Sequence, residues 1–131
     1  GVSAEIRPTE LAVLYGIMEP GNFEMVFFSF GIPVDDPDMV FGVHFMPSTR
    51  NYNKYYNPRL AELFAEQAGM MDPVARKRIV DEMSRIVLND AGTVILGYQI
   101  RTVAHWPQVK DYRPAVDLFS GTRLEDVWLA K

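Results

Sequence analysis

From its amino end the chain passes between helix-period and strand-like apolar patterns, punctuated by Pro, Gly and Asn. Leu11, Leu14, Tyr15 and Met18 recur at i, i+3, i+4 and i+7, which puts them on one face of a helix opened by Pro8 and stopped at Pro20-Gly21. Before it, Val2 to Arg7 is short and mixed and reads as the strand of a βα unit. After Asn22-Phe23 comes Met25-Val26-Phe27-Phe28-Ser29-Phe30, an almost unbroken apolar run too short for a typical helix. The pattern predicts a strand buried on both faces. Strand, crossover helix and buried strand in that order imply a parallel pair, because parallel neighbours need such a crossover and have helices over their faces. The expected fold class is α/β or α+β.

Three helix starts of one chemical type follow. Asp36 before Pro37, with Asp38 in the first turn, supplies a side-chain cap, a proline at the first position and an acid at the positive dipole end, predicting a helix through Met39 to Phe45. Asn57-Pro58 opens a second with core positions Leu60, Leu63, Phe64 and Ala68. Asp72-Pro73 opens a longer third with Ile79, Met83, Ile86 and Val87 on one face. Gly69 and Gly92 are the expected ends. On the third helix Arg78 with Glu82 and Asp81 with Arg85 are i, i+4 pairs that mark a solvated face. Between the first two lies Met46 to Asn57, whose Asn and Tyr content predicts an exposed aromatic loop of the kind that touches ligands. Thr93 to Ile100 is again strand-like, Arg101 to Trp106 continues or re-enters a sheet, and Arg123 to Leu129 is a short final strand or helix.

Composition narrows the function. The chain has 131 residues, enough for one ordinary domain, and a net charge of −4 argues against nucleic acid as a partner. The acidity sits in residues 1 to 50, with 2 basic and 7 acidic groups, against 11 and 10 in residues 51 to 131. Without cysteine there is no disulfide framework, thiolate metal site or Cys nucleophile. No apolar run nears the roughly 18 residues of a membrane span, and no charged-then-apolar signal segment opens the chain. It starts at Gly1 rather than Met, so a processed or cut product is expected.

The punctuation as a whole resembles a known family. Gly1-Val2 followed by Ala4-Glu5-Ile6-Arg7-Pro8 stands near the start, and Gly21-Asn22-Phe23-Glu24-Met25 precedes the predicted buried strand. Asp36-Pro37-Asp38, Tyr56-Asn57-Pro58-Arg59-Leu60 and Asp72-Pro73-Val74-Ala75-Arg76 come next, then Val109-Lys110-Asp111-Tyr112 and Asp126-Val127-Trp128. Their order and spacing resemble the C-terminal part of solute-binding proteins of the peptide, nickel and oligosaccharide class, the extracytoplasmic receptors of ABC importers. The similarity covers nearly the whole chain.

The resemblance implies an α/β fold that is part of one lobe of a two-lobe periplasmic-binding-protein fold of the type II kind, with a mixed sheet flanked by helices. Residues 1 to 131 would be a single domain from the C-terminal lobe, without the N-terminal lobe, holding at most half of a binding cleft. It implies capture of a small organic solute, an oligopeptide or a related peptide-like or sugar-like compound, by lobe closure and without chemistry. The implied location is periplasmic or extracytoplasmic, and the implied partners are the solute, the missing lobe and a membrane permease. Self-association through an uncovered sheet edge is expected of such a fragment. The segment matching the family's cleft-lining loop runs from Phe30 to Asp36. Peptide-binding members carry an acid three positions before the Asp-Pro step, where this chain has Pro33. This departure favours a sugar-like, opine-like or modified-peptide solute.

Residue chemistry points to the same loop, since ligands of α/β sheets sit outside the carboxyl ends of strands. The candidate ligand-binding residues are Phe30, Gly31, Ile32, Pro33, Val34 and Asp35, with Tyr52 and Tyr55, whose rings are apolar bodies with polar tips. Asp36 is assigned to capping. Asp35, Asp36 and Asp38 lack the alternation and distant Glu of an EF-hand. His44 and His105 have no partners at zinc-ligand spacing, so no metal and no cofactor is expected. No Gly-x-Ser-x-Gly occurs, and nothing singles out a carboxylate pair for hydrolysis. The rival to solute capture is an autonomous interaction domain acting through protein contacts.

Overall fold

A computed structural model describes residues 1, 3–98, 100, 102–114 and 124–130. Four helices appear in it: α1 Leu11–Met18, α2 Pro37–His44, α3 Pro58–Ala68 and α4 Pro73–Asp90. Two short strands, β1 Val109–Lys110 and β2 Trp128–Leu129, pair antiparallel with Val109 opposite Leu129 and Lys110 opposite Trp128. The described architecture is thus a small mix of helices with a two-stranded antiparallel sheet.

The Asx-Pro steps start three of the helices as their chemistry requires. The side chains of Asp36, Asn57 and Asp72 accept hydrogen bonds from the backbone N–H groups of Asp38, Leu60 and Val74 at 2.9, 3.1 and 2.9 Å. Proline then occupies the first helical position, where no N–H is needed. α1 differs: it begins at Leu11 rather than Pro8, and its N-cap Glu10 gives no side-chain bond. Its end is closed more firmly. Gly21 lies at φ 84°, and the N–H groups of Gly21 and Asn22 donate to the carbonyls of Met18 and Ile17, both at 3.0 Å. This is a Schellman closure that favours glycine.

The core lies among α2, α3 and α4. Phe41, Met46, Leu60, Leu63, Met83 and Val87 are buried together, with Phe45, Tyr55, Phe64 and Ile79 packed against them. The helical periods of α3 and α4 converge on this cluster, as their spacing predicts. Gly42 permits the approach of α2 to α3, since a Cβ there would stand 3.0 Å from the Phe64 ring. α3 ends at Gly69, but α4 ends on Ala91, which takes the left-handed conformation at φ 51°. Gly92 has another duty: a Cβ would stand 3.3 Å from the Tyr55 ring.

Four expectations need correction. Residues 25–30 form no strand; Met25 and Phe27 are more than four-fifths exposed and the backbone has no ladder partner among the described residues. Residues 3–7, 93–98 and 102–106 are likewise irregular, while Val2, Gln99, Arg101 and Arg123 lie outside the described residues. The described sheet is antiparallel instead of parallel, and its two strands come from the last quarter of the chain. A strand cannot satisfy its own backbone, so an apolar run becomes one only where a neighbour supplies the hydrogen bonds. Finally, Asp81 bonds Lys77 at 2.6 Å and Glu82 bonds Arg59 at 3.0 Å, in place of the expected partners Arg85 and Arg78.

Candidate functional site

The loop between α2 and α3 is built around one buried amide. Asn51 donates through Nδ2 to the carbonyls of Tyr55 (2.7 Å) and Met46 (3.3 Å), and its Oδ1 accepts from the Tyr55 N–H at 3.0 Å. The loop is therefore a folded structure and only partly exposed. Lys54 donates to the Glu19 carbonyl at 2.6 Å, placing a cation at the negative end of α1. Asn53 reaches the Gly92 carbonyl at 2.7 Å and the Thr93 hydroxyl at 2.8 Å, tying the loop to the far end of α4.

The loop divides its tyrosines between two places. Tyr52 is buried, and its ring meets Phe28 edge-on at 6.3 Å. Burial, then the neighbouring Tyr15, pushes its hydroxyl pKa up. Tyr55 packs edge-on against Phe45 at 5.9 Å and donates to Asp90 at 2.6 Å, with burial first and Asp90 second pushing its pKa up to about 12. Tyr56 is the exposed member of the three.

An aromatic row links α1 to α2 across the 25–35 segment. Tyr15 meets Phe28 at 5.7 Å, Phe28 meets Phe30 at 5.3 Å, and Phe30 lies 4.1 Å from the His44 ring. Beside the row, Leu11, Leu14, Tyr15, Phe27, Phe28 and Ser29 line an open groove of about 400 Å³. Tyr52 thus shares a neighbourhood with Phe30 through Phe28, whereas Tyr55 belongs to the helical core. Of the remaining candidates, Ile32 and Pro33 are half-buried and Gly31, Val34 and Asp35 are exposed. The Asp36 N–H donates to the Val34 carbonyl at 2.9 Å, turning the segment into α2.

Sequence reasoning placed Leu11, Leu14 and Tyr15 on one helix face but did not show that this face borders a groove. The 3.6-residue period that groups them was the available signal. Which residues of the 25–30 run would face them depends on backbone geometry outside that period.

The acids next to this segment are committed to structure. Asp36 caps α2 and takes a two-pronged contact from Arg76 of α4, at 2.9 and 3.0 Å. The Arg76 guanidinium, with help from the Asp38 N–H, holds the Asp36 carboxyl below the usual carboxylate range. Arg76 also donates to the fully buried Gln67 at 2.8 Å, and Gln67 donates to Asp38 and to the Phe64 carbonyl. This network locks three helices together. Among the described residues no group of three or more His, Asp or Glu side chains could hold a metal ion. Nor, among the described residues, is any helix long and apolar enough to cross a membrane.

No protein-family model, curated protein or solved structure matches this chain.

Proposed function

We propose that this chain is part of one lobe of an extracytoplasmic solute-binding receptor of an ABC importer, in the peptide, nickel and oligosaccharide class. The single structural observation that supports the reading is the open, aromatic-walled groove between α1 and residues 27–29, next in sequence to the 30–35 segment. Tyr15 and Phe28 offer ring faces and edges to an apolar or sugar-like body. The order of Asp-Pro and Asn-Pro helix starts supplies the family resemblance. The apolar stretch at 94–98 is surface that further parts of a lobe would cover.

In this reading the solute is an oligopeptide or a related peptide-like or sugar-like compound, bound without chemistry. Asp36, at the end of the loop, serves a cap and an ion pair and is not free for proton transfer. Capture works by closure of two lobes, with the ligand shifting the balance by touching both. A permease in the membrane then accepts the solute. Because one lobe carries half of the contacts, this chain alone binds more weakly than about 10 μM.

Native mass spectrometry of the gently purified protein, together with whatever sequence its gene supplies on either side, tests the proposal. A retained small molecule of defined mass, lost on denaturation, supports it. A ligand bound below about 10 μM by this chain alone overturns the two-lobe mechanism. The exposed apolar stretches also favour a second reading, an interaction domain that docks to another protein through them. A stable complex of defined stoichiometry with a protein and no small-molecule adduct would select it.

A further inference from the structure

His44 sits in the last turn of α2, half-buried, with its ring 4.1 Å from that of Phe30. Its Nδ1 is enclosed and has no hydrogen-bond partner among the described residues. A neutral imidazole tolerates this arrangement, since one nitrogen remains a bare acceptor. A protonated ring fits it poorly, because it adds an N–H at the enclosed Nδ1, which has no hydrogen-bond partner there, and a positive charge in a half-buried place. The 25–35 segment contributes an uncharged ring to the contact. The 46–57 loop contributes Arg50, whose carbonyl favours the charged ring and whose own charge, the smaller effect, opposes it. Burial is the larger effect and holds the ring's pKa below the ordinary histidine value.

We propose that protonation of His44 uncouples the 25–35 segment from α2, so that mild acid releases the stretch carrying Phe30 to Asp35. The charged ring turns outward, where the negative end of α2 and water both stabilise it. Phe30 then loses its partner. The aromatic row from Tyr15 to Phe30 is cut from α2 while the core of α2, α3 and α4 stays packed. The proposal stands on the His44–Phe30 contact and holds whether or not the receptor reading does.

Proton NMR of the full chain from about pH 8 to about pH 5 tests it. Cross-relaxation between the Phe30 and His44 rings is expected at the alkaline end and disappears along the titration of His44, with a midpoint below about 6.5. Cross-relaxation that survives the titration overturns the proposal. In His44→Gln the Phe30 ring shifts become flat over the same range, and a transition of unchanged size overturns it. Phe30→Leu provides a separate check that retains an apolar side chain: the His44 midpoint rises toward about 6.5, and an unmoved midpoint overturns the coupling.

Discussion

The middle of the chain, residues 36 to 90, and its two flanks differ less in how apolar they are than in how they use it. In the middle, three capped helices bury Phe41, Leu60, Leu63, Met83 and Val87 against one another. In the flanks Ile6, Met25, Phe27, Leu96, Tyr98 and Ile100 are each at least three-quarters exposed. A helix completes its backbone hydrogen bonds within its own segment, so burial of one face is the only tertiary requirement. A strand needs a neighbour for every second backbone group before its side chains can be sheltered. Apolar content therefore predicted burial only where the secondary structure was self-contained.

The largest expected contrast comes from truncating apolar side chains in the two regions. Leu60→Ala or Met83→Ala, at fully buried positions, should cost about 2–5 kcal/mol in urea unfolding. Leu96→Ala should change stability by no more than about 0.5 kcal/mol. An equal cost at Leu96 would mean that the flank is packed in solution and would remove the contrast.

Next in size is the polar link among the helices. Replacing the fully buried Gln67 by Leu removes partners from Asp38, Arg76 and the Phe64 carbonyl, and a loss of about 1–3 kcal/mol is expected. The same substitution sharpens the comparison if the 25–35 segment, monitored by the Phe28 and Phe30 ring signals, is unaffected.

Alkaline pH probes the loop that joins the regions. Tyr55 ionises near 10 when unfolded and at about 12 when folded, so the folded state holds the extra proton between those values. Stability from this group is complete below pH 10 and is lost as pH rises toward 12. The urea midpoint should fall across that window, and less steeply in Tyr55→Phe. Asp36 has the opposite sign: its lowered pKa contributes stability above about pH 3.8 that is lost as pH falls further.

The smallest expected effect is a gain. Ala91 ends α4 in a left-handed conformation that suits glycine. Ala91→Gly should raise stability by about 0.5 kcal/mol after the added chain entropy is offset, read as a higher urea midpoint.

Much of the helical middle was legible because its signals are short-range. Asp36, Asn57 and Asp72 announce helices through a cap and the following proline, and each bond spans two or three residues. The strand-like runs at 25–30 and 93–100 were not decided by their own composition, since their pairing depends on chain elsewhere. The candidate site was legible in part. Phe30 was identified from the family resemblance, at the end of an apolar run, but its neighbours Tyr15, by way of Phe28, and His44 come from other elements. Tyr52 and Tyr55, three residues apart, face different surroundings because Asn51 folds the loop between them.

Residue order alone specified where α2, α3 and α4 begin, which of their faces are apolar, and that Asp36 serves as a cap. Those outcomes rest on interactions within a helical turn, which residue order specifies directly. Helix packing alone decided that Asp36 also meets Arg76, 40 residues away, that Gln67 is buried against Arg76 and Asp38, and that His44 lies under Phe30. Each depends on how whole helices and the segments between them approach one another, and no periodicity within a single segment carries that information.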